Sequence, residues 1–402
     1  MNNRHLASGA ASASSPWRAT AAGLCATLVG IGLARFAYTP LLPAVIGAHW
    51  FDASAAAYIG AANLAGYLAG ALLAHPMLKV GSAAVVIRTM MLLAAAAFIA
   101  CALPLSFLWF FTWRLASGVA GGVLMVLAAP TVLSHVSPSR RGLAGGVIFM
   151  GVGIGIAASG TVVPLLLEQG LQQAWLGLGA LAFVLTLLAW NGWPVIPAPA
   201  APVSVRAPRR ALPLRLLYAE YGLNAVGLVP HMLFLVDFVA RGLGRGVQTG
   251  AQYWVLFGVG AIIGPLITGR LADVTGFRRA LRIAYALQAV AVGLPAFHLG
   301  TAGLMFSSLV VGAFTPGIVA LVLGRVHELT PHDATGQKAA WSAATTSFAV
   351  MQAVAAFGLS FIFERSGGDY SVLFLLGAAS LAVAFLMDFV AGTVVPEPGH
   401  PQ

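Results

Sequence analysis

Charge is what this chain lacks. Only 8% of its 402 residues are Asp, Glu, Lys or Arg, and the acids number just 11. A soluble globular protein carries roughly a quarter of its residues charged, so composition excludes a soluble fold. Cysteine is nearly absent too. Cys25 and Cys101 both fall in apolar stretches, which leaves no disulfide framework and no thiolate metal motif. No two histidines stand at the i,i+4 spacing of a helical metal pair, and no G-x-x-x-x-G-K-[ST] loop is available to hold ATP. A membrane-lipid enzyme would need a nucleophile, an acid pair or a metal cluster, and none is legible. The expectation is a non-enzyme without cofactor or metal, driven by a gradient rather than by its own nucleotide.

What the chain has is apolar length. Residues 54–74, 142–167, 171–193, 249–268 and 371–393 are the clearest of eleven evident stretches, with a twelfth expected. A hydrocarbon core of about 30 Å takes roughly 20 residues at helical rise, and only a helix or a closed barrel satisfies its own backbone there. These runs are rich in Ala, Leu, Gly and Val without alternating polarity, which selects helix over barrel strand. The predicted spans are 18–46, 54–75, 84–103, 106–134, 142–168 and 171–193, then 214–240, 249–271, 280–299, 302–328, 336–363 and 371–393. Residues 1–16 read as a disordered tail. The apolar stretch from Trp17 is longer than a signal-peptide core and contains Arg35, which argues against a cleaved signal.

The net charge of +10 suggests nucleic acid until the cations are placed on the spans. Of the 21 Lys and Arg, Arg241, Arg245 and Arg365 fall on one side and Arg35 and Arg114 fall inside spans; all the others fall on the opposite side. That is the positive-inside pattern, so both termini are expected in the cytoplasm and no nucleic-acid partner is expected. The lipid bilayer is the basic chain's natural partner.

Pro194, Pro197, Pro199, Pro202 and Pro208, with Arg206, Arg209 and Arg210, form the one long composition break. Proline removes donors and arginine is costly in lipid, so 194–212 reads as a cytoplasmic linker. It separates a six-helix half at 17–193 from another at 213–393, with a short tail at 394–402. The halves resemble each other: Gly118 and then Pro138 and Gly142 in the first half find echoes in Gly312, Pro331 and Gly336. Two similar halves are the layout of transporters that rock around a central site.

Buried polar groups are the candidates for function. Arg35 lies well inside span 1 with Tyr38 one turn on, and an arginine mid-span costs about 2.5–3.5 kcal/mol on insertion scales. Either it bonds to a neighbouring helix, or it anchors an anionic group of a cargo. On span 7, Glu220, Asn224, Gly227 and His231 fall within about 60° of one another at 100° per residue. A histidine exchanges its proton near neutrality and a carboxyl group is a proton carrier, so Glu220 and His231 are candidates for a coupling proton, against plain interhelix hydrogen bonds. Asn63 and Tyr67 share a face of span 2 with Gly60 and Gly70, and packing alone accounts for that face equally well. Trp341, Thr345, Phe348 and Gln352 share a face of span 11 and read as a ligand wall. Asp237 and Arg241 read as a local ion pair, and Asp388 as peripheral.

The loop after span 8 reads G-R-L-A-D-V-T-G-F-R-R at 269–279, and span 4 carries R-L-A-S-G-V-A-G-G from Arg114. Both strings resemble signature motifs of the major facilitator superfamily of secondary transporters. The equivalent first-half loop, G-A-L-L-A-H-P-M-L-K at 70–79, has His75 where the superfamily carries an acid. The runs at 34–43, 61–71 and 229–244 and G-R-V-H-E-L from Gly324 resemble the YbfB/YjiJ family of bacterial facilitators. That resemblance implies an all-α, twelve-helix inner-membrane carrier working as a monomer, with a cavity lined by spans 1, 2, 4, 5, 7, 8, 10 and 11. It also implies gating by Asp273 with Arg278 or Arg279, and a coupling role for Arg114. The leading expectation is a proton-coupled carrier of a small organic solute, with Arg35, Tyr38, Asn63, Tyr67, Asn224, His231, Trp341, Thr345 and Gln352 at the solute. A proton-driven efflux carrier is the alternative, favoured by the glycine-dense span 5. A non-transporting sensor or scaffold on the same fold is the alternative of another class.

Overall fold

The computed structural model describes residues 16–137, 140–194, 212–331 and 333–394. Pro138 and nearly all of the expected tails and linker lie outside them. Among the described residues there is no strand, and twelve helices are long and apolar enough to cross a membrane. They are α1 (Pro16–Gly47), α2 (Ala53–Met77), α3 (Ala83–Cys101), α4 (Phe107–Leu133), α5 (Arg141–Leu167) and α6 (Leu171–Ala189). The second set is α7 (Leu212–Gly242), α8 (Gly246–Thr275), α9 (Phe277–Phe297), α10 (Gly300–Leu329), α11 (Ala334–Arg365) and α12 (Tyr370–Val394). Each coincides with a predicted span to within a few residues. Several starts are fixed by side-chain caps: Asp52 accepts from the Ala55 N–H at 2.6 Å, Ser106 from Trp109 at 3.1 Å, and Asp333 from Gly336 at 2.7 Å.

Small residues set how closely helices approach within each half. A side chain at Gly66 or Gly70 of α2 would overlap the backbone of α4 at Leu115 or Val119, and one at Gly118 would overlap the Asn63 carbonyl. In the second half, Gly260 and Gly264 of α8 press on Leu309 and Ala313 of α10, and Gly312 presses on Phe257. Each of Gly66, Gly70 and Gly118 has its counterpart 194 positions on, at Gly260, Gly264 and Gly312. The pseudo-repeat is thus a repeat of helix-packing contacts, which is why glycine marks it in the sequence.

Two spans are irregular where the sequence predicted plain helix. In α1 the Ala34 N–H donates to the Val29 carbonyl at 2.9 Å and Phe36 donates to Ile31 at 3.3 Å, a wide π-type turn over Leu28–Leu33. In α7 the stretches Pro230–Phe234 and Phe238–Gly242 widen the same way, with Pro230 supplying no donor. These turns lie beside Arg35 and His231.

Helices α3, α6, α9 and α12 pack within their own half, while α1, α2, α5, α7, α8 and α11 meet across it. The meeting is one-sided. Call the end of the bundle that bears Arg18, Lys79, Arg278 and Arg282 the basic end, and the end bearing Arg241, Arg245 and Arg365 the sparse end. Gly146, Gly153 and Gly160 are seven residues apart and so share one face of α5. Side chains at Gly153 or Gly160 would overlap α8 at Ile262 or Val255, whereas one at Gly146, nearer the basic end, meets nothing within 4 Å. On the facing helix, Gly258 presses on Ala157, and Gly269 again meets nothing. Helices α5 and α8 therefore touch in the sparse half and diverge toward the basic end. Tyr58 Oη donates to Glu364 at 3.1 Å and Phe111 meets Phe357 at 6.5 Å, also on the sparse side. The halves form a V, closed at the sparse end and open at the basic end.

Candidate functional site

Arg35 sits at the apex of that V. Its Nη2 donates to Gln352 Oε1 of α11 at 2.5 Å and lies 3.8 Å from Met232 Sδ of α7. The guanidinium rides 4.9 Å above the Tyr67 ring and 5.3 Å from Phe36. Its Nε has no partner, and no carboxylate pairs with it among the described residues. An amide, a thioether and two π faces are weak counterweights for a full charge removed from water. Gln352 is itself buried, and its Nε2 donates to Met232 Sδ at 3.5 Å.

Aromatic side chains build the wall below this apex. Tyr67 of α2 lies under the Arg35 guanidinium, and Tyr221 of α7 belongs to the other half. Tyr221 in turn packs 4.6 Å from Phe348 and stacks at 6.5 Å on Trp341. Tyr67, Trp341, Thr345 and Phe348 are all partly exposed. The Thr345 hydroxyl donates to its own helix at the Trp341 carbonyl, 2.9 Å. So Arg35, Tyr67, Trp341, Thr345 and Gln352 come together.

Tyr38 and Asn63 do not join them. Tyr38 is 1% exposed, donates to the Ala56 carbonyl at 2.8 Å, and packs in the first half's core against Trp175. Asn63 Nδ2 faces the Ala34 carbonyl at 3.3 Å, the Arg114 carbonyl at 3.2 Å and Ser117 Oγ at 3.3 Å. Arg114, 2% exposed, donates from Nη1 to the same Ala34 carbonyl at 2.8 Å and lies 4.7 Å from the Tyr38 ring. The irregular turn in α1 commits the following amides elsewhere, Ala37 to Leu33 and Thr39 to Phe36. The freed Ala34 carbonyl becomes the acceptor that α2 and α4 converge on. Position 114 has Ser308 at the equivalent place 194 residues on, so this buried cation belongs to the first half alone.

The polar stripe of α7 also turns away from the cleft. Asn224 Nδ2 donates to Gln288 Oε1 of α9 at 2.6 Å. His231 lies 2.7 Å from Ser307 Oγ of α10, with Phe374 edge-on at 5.2 Å. Because the Ser307 hydroxyl is spent on the Ala291 carbonyl at 2.6 Å, the ring donates through Nε2, and Nδ1 is left bare. Glu220 is 3% exposed with no hydrogen-bond partner among the described residues. The face that meets the cleft is the neighbouring one bearing Tyr221 and Met232, rotated by about 100°. Sequence reading missed both residues, since polarity rather than aromaticity marked the helix; the spacing 221, 228, 232 was the available signal.

At the basic end, Arg278 lies 3.4 Å from Asp388 Oδ1, and Arg282 pairs with Asp388 Oδ2 and donates to its carbonyl at 3.0 Å. Asp388, expected to be peripheral, is the buried centre of that cluster, whereas Asp273 and Arg279 are exposed and unpaired with each other. Asp237 and Arg241 do form the expected pair at 2.5 Å, and Tyr370 Oη adds a donor to Asp237 at 2.6 Å.

The fold has known counterparts. A bacterial homologue of the human lysosomal transporter Spinster, in an inward-facing and occupied conformation, superposes with a TM-score of 0.72 at 14% identity, covering 97% of this chain and 100% of its own. The nucleoside transporter NupG gives 0.73 at 16% identity over 93% and 100%. A D-xylose–proton symporter gives 0.69 at 14% over 95% and 98%. At these identities the likeness speaks to fold, which is that of the major facilitator superfamily. A search of curated protein sequences found no match. The model of the family described as uncharacterised MFS-type transporter YbfB matches residues 27–389, and with that span, the twelve helices and the two-half architecture together, the chain belongs to this family of membrane transporters.

Proposed function

We propose that this protein is a secondary carrier that moves a small organic anion across the inner membrane by alternating access, coupled to protons. The observation that carries the reading is Arg35: a cation that no carboxylate pairs with among the described residues, held by an amide from the opposite half. A carboxylate on the cargo would replace Gln352 with a stronger, charge-assisted acceptor, and the Tyr67, Tyr221 and Trp341 rings would take its apolar part. Because the Arg35–Gln352 contact joins the halves, cargo binding and the hinge share one side chain. Charge asymmetry supports cytoplasmic termini, which makes the open end the inward one and this conformation inward-facing. Glu220 and His231 are the proposed proton carriers.

The test is uptake and efflux of a solute panel in proteoliposomes with an imposed pH gradient. Accumulation of carboxylates but not of neutral analogues is the expected result, and transport indifferent to the gradient defeats the coupling. Topology has its own check. Reporter fusions near Pro202 and at Gln402 are both expected to read cytoplasmic, and a periplasmic signal from either defeats the orientation.

Asp273 is proposed as a latch for the opposite conformation, in which α8 and the basic ends of the first half would close. Asp273→Asn is expected to shift the inward–outward equilibrium and slow turnover several-fold, about 1 kcal/mol for one exposed pair, with cargo affinity in the accessible state nearly intact. Spectroscopic distance distributions between spin labels across the basic end would read the shift; loss of binding with normal switching contradicts the latch.

A further inference from the structure

Behind the cleft, inside the second half, lies a column of buried polar side chains that cargo recognition does not use. It starts at Glu220 and Tyr285, passes the Asn224–Gln288 hydrogen bond at 2.6 Å, and ends at His231 against Ser307. Glu220 and His231 are eleven residues apart on α7, roughly 16 Å at helical rise. Three atoms along this column are buried with no partner among the described residues: Tyr285 Oη, Gln288 Nε2 and His231 Nδ1. Buried polar atoms in native folds are satisfied, if not by protein then by ordered water. Their chemistry is complementary. Gln288 is oriented by Asn224 so that its amide N–H is offered, His231 Nδ1 accepts, and the tyrosine hydroxyl does both.

We propose that this α7–α9–α10 column is a water-bridged proton track lying off the cargo cleft, with Tyr285 and Gln288 as positioning residues between the carriers Glu220 and His231. It rests on the proton-coupled reading given above. A proton arriving at the Glu220 carboxylate makes the neutral acid beside a neutral His231; handing it on to His231 Nδ1 restores the carboxylate and makes the imidazolium, and release from His231 returns the pair to its starting charges. The charged groups around Glu220 are Arg278 and Arg282 of α9, Arg325 of α10 and Asp388 of α12, all toward the basic end. Around His231 the walls are apolar or hydroxyl, with Phe374 at 5.2 Å, itself 5.3 Å from Phe238, and Phe238 5.5 Å from Tyr370. These rings separate His231 from the Asp237–Arg241 pair. In this conformation the track therefore meets the basic end through Glu220 and is sealed toward the sparse end by Phe374 and Phe238, the same polarity as the cleft.

The column and the cleft diverge along one helix: Tyr221 packs on Phe348 and Trp341 of α11, whereas Asn224 bonds to Gln288 of α9. Cargo and proton would then share the motion of α7 without sharing a site.

The full-length protein in lipid vesicles, stepped in pH under infrared difference spectroscopy, gives a readout that needs no cargo. A carboxyl band that titrates in the wild type and is lost in Glu220→Gln assigns the carrier. Tyr285→Phe and Gln288→Met, which keep side-chain volume, are expected to move its midpoint by about one pH unit, the effect of one lost hydrogen bond to a charged group. Variants are compared after confirming unchanged helical circular dichroism, and Ser307→Ala serves as the second probe at the His231 end, expected to alter the imidazole bands. Gradient-driven transport that survives in the wild type while none of these three variants moves its bands overturns the track and leaves the coupling reading standing. Wild-type transport indifferent to the pH gradient defeats that reading itself.

Discussion

Arg35→Ala is expected to weaken binding of the anionic solute by roughly a hundredfold, about 3 kcal/mol, the worth of a charge-assisted pair at a site shielded from water. Arg35→Lys is expected to recover only part of it, because an ammonium is a point charge without the bidentate fork. The structure adds a consequence. Gln352 is the acceptor that holds Arg35 across the halves, so Gln352→Ala frees the guanidinium and removes its competitor. Cargo affinity in that variant stays close to the wild type or rises while turnover changes, and binding by scintillation proximity against transport rate separates the two. A cargo whose affinity survives Arg35→Ala unchanged removes the anion site from the mechanism.

Glu220→Gln or His231→Ala is expected to abolish accumulation driven by a pH gradient while leaving solute counterflow in place. Exchange returns the carrier loaded and needs no net proton movement, whereas accumulation draws about 1.4 kcal/mol from each pH unit per proton. Counterflow and gradient-driven uptake in the same vesicle preparation decide it. Because neither side chain lines the cleft, these substitutions spare cargo binding; equal loss of both activities points instead to collapse of the second half's core. The linkage has a sign. Transport that needs Glu220 to pick up and release a proton fails at an extreme of pH where the group is held in one form on both faces, so uptake with pH should show a maximum between two falling arms.

The same substitutions explain why the candidate site was only half legible in the sequence. Polar residues on an apolar helix announce themselves, and Glu220, Asn224 and His231 are all buried in the protein. A helix between two protein neighbours, however, has two such faces. Which one meets the cleft is a rotation of about 100°, fixed by how Gly227 of α7 packs on Gly377 and Leu381 of α12. Asn63 shows the same limit: its stripe was visible, but the acceptor it serves exists only because α1 widens at Leu28–Leu33 and frees the Ala34 carbonyl. Asp388 seemed peripheral because its partners, Arg278 and Arg282, come from a helix more than a hundred residues away.

The spans, their boundaries and the two-half repeat were determined by the sequence alone, because a bilayer forces each segment to satisfy its own backbone over a fixed length and leaves the evidence within that segment. Glycines 194 residues apart recorded the helix contacts of each half in the same local way. The pairing of Arg35 with Gln352, the rotation of α7, the arginine cluster on Asp388 and the V that opens at the basic end were decided only by tertiary structure. Those depend on surfaces that helices from different parts of the chain create together, and a buried polar side chain carries no mark in its own sequence of which neighbour will satisfy it.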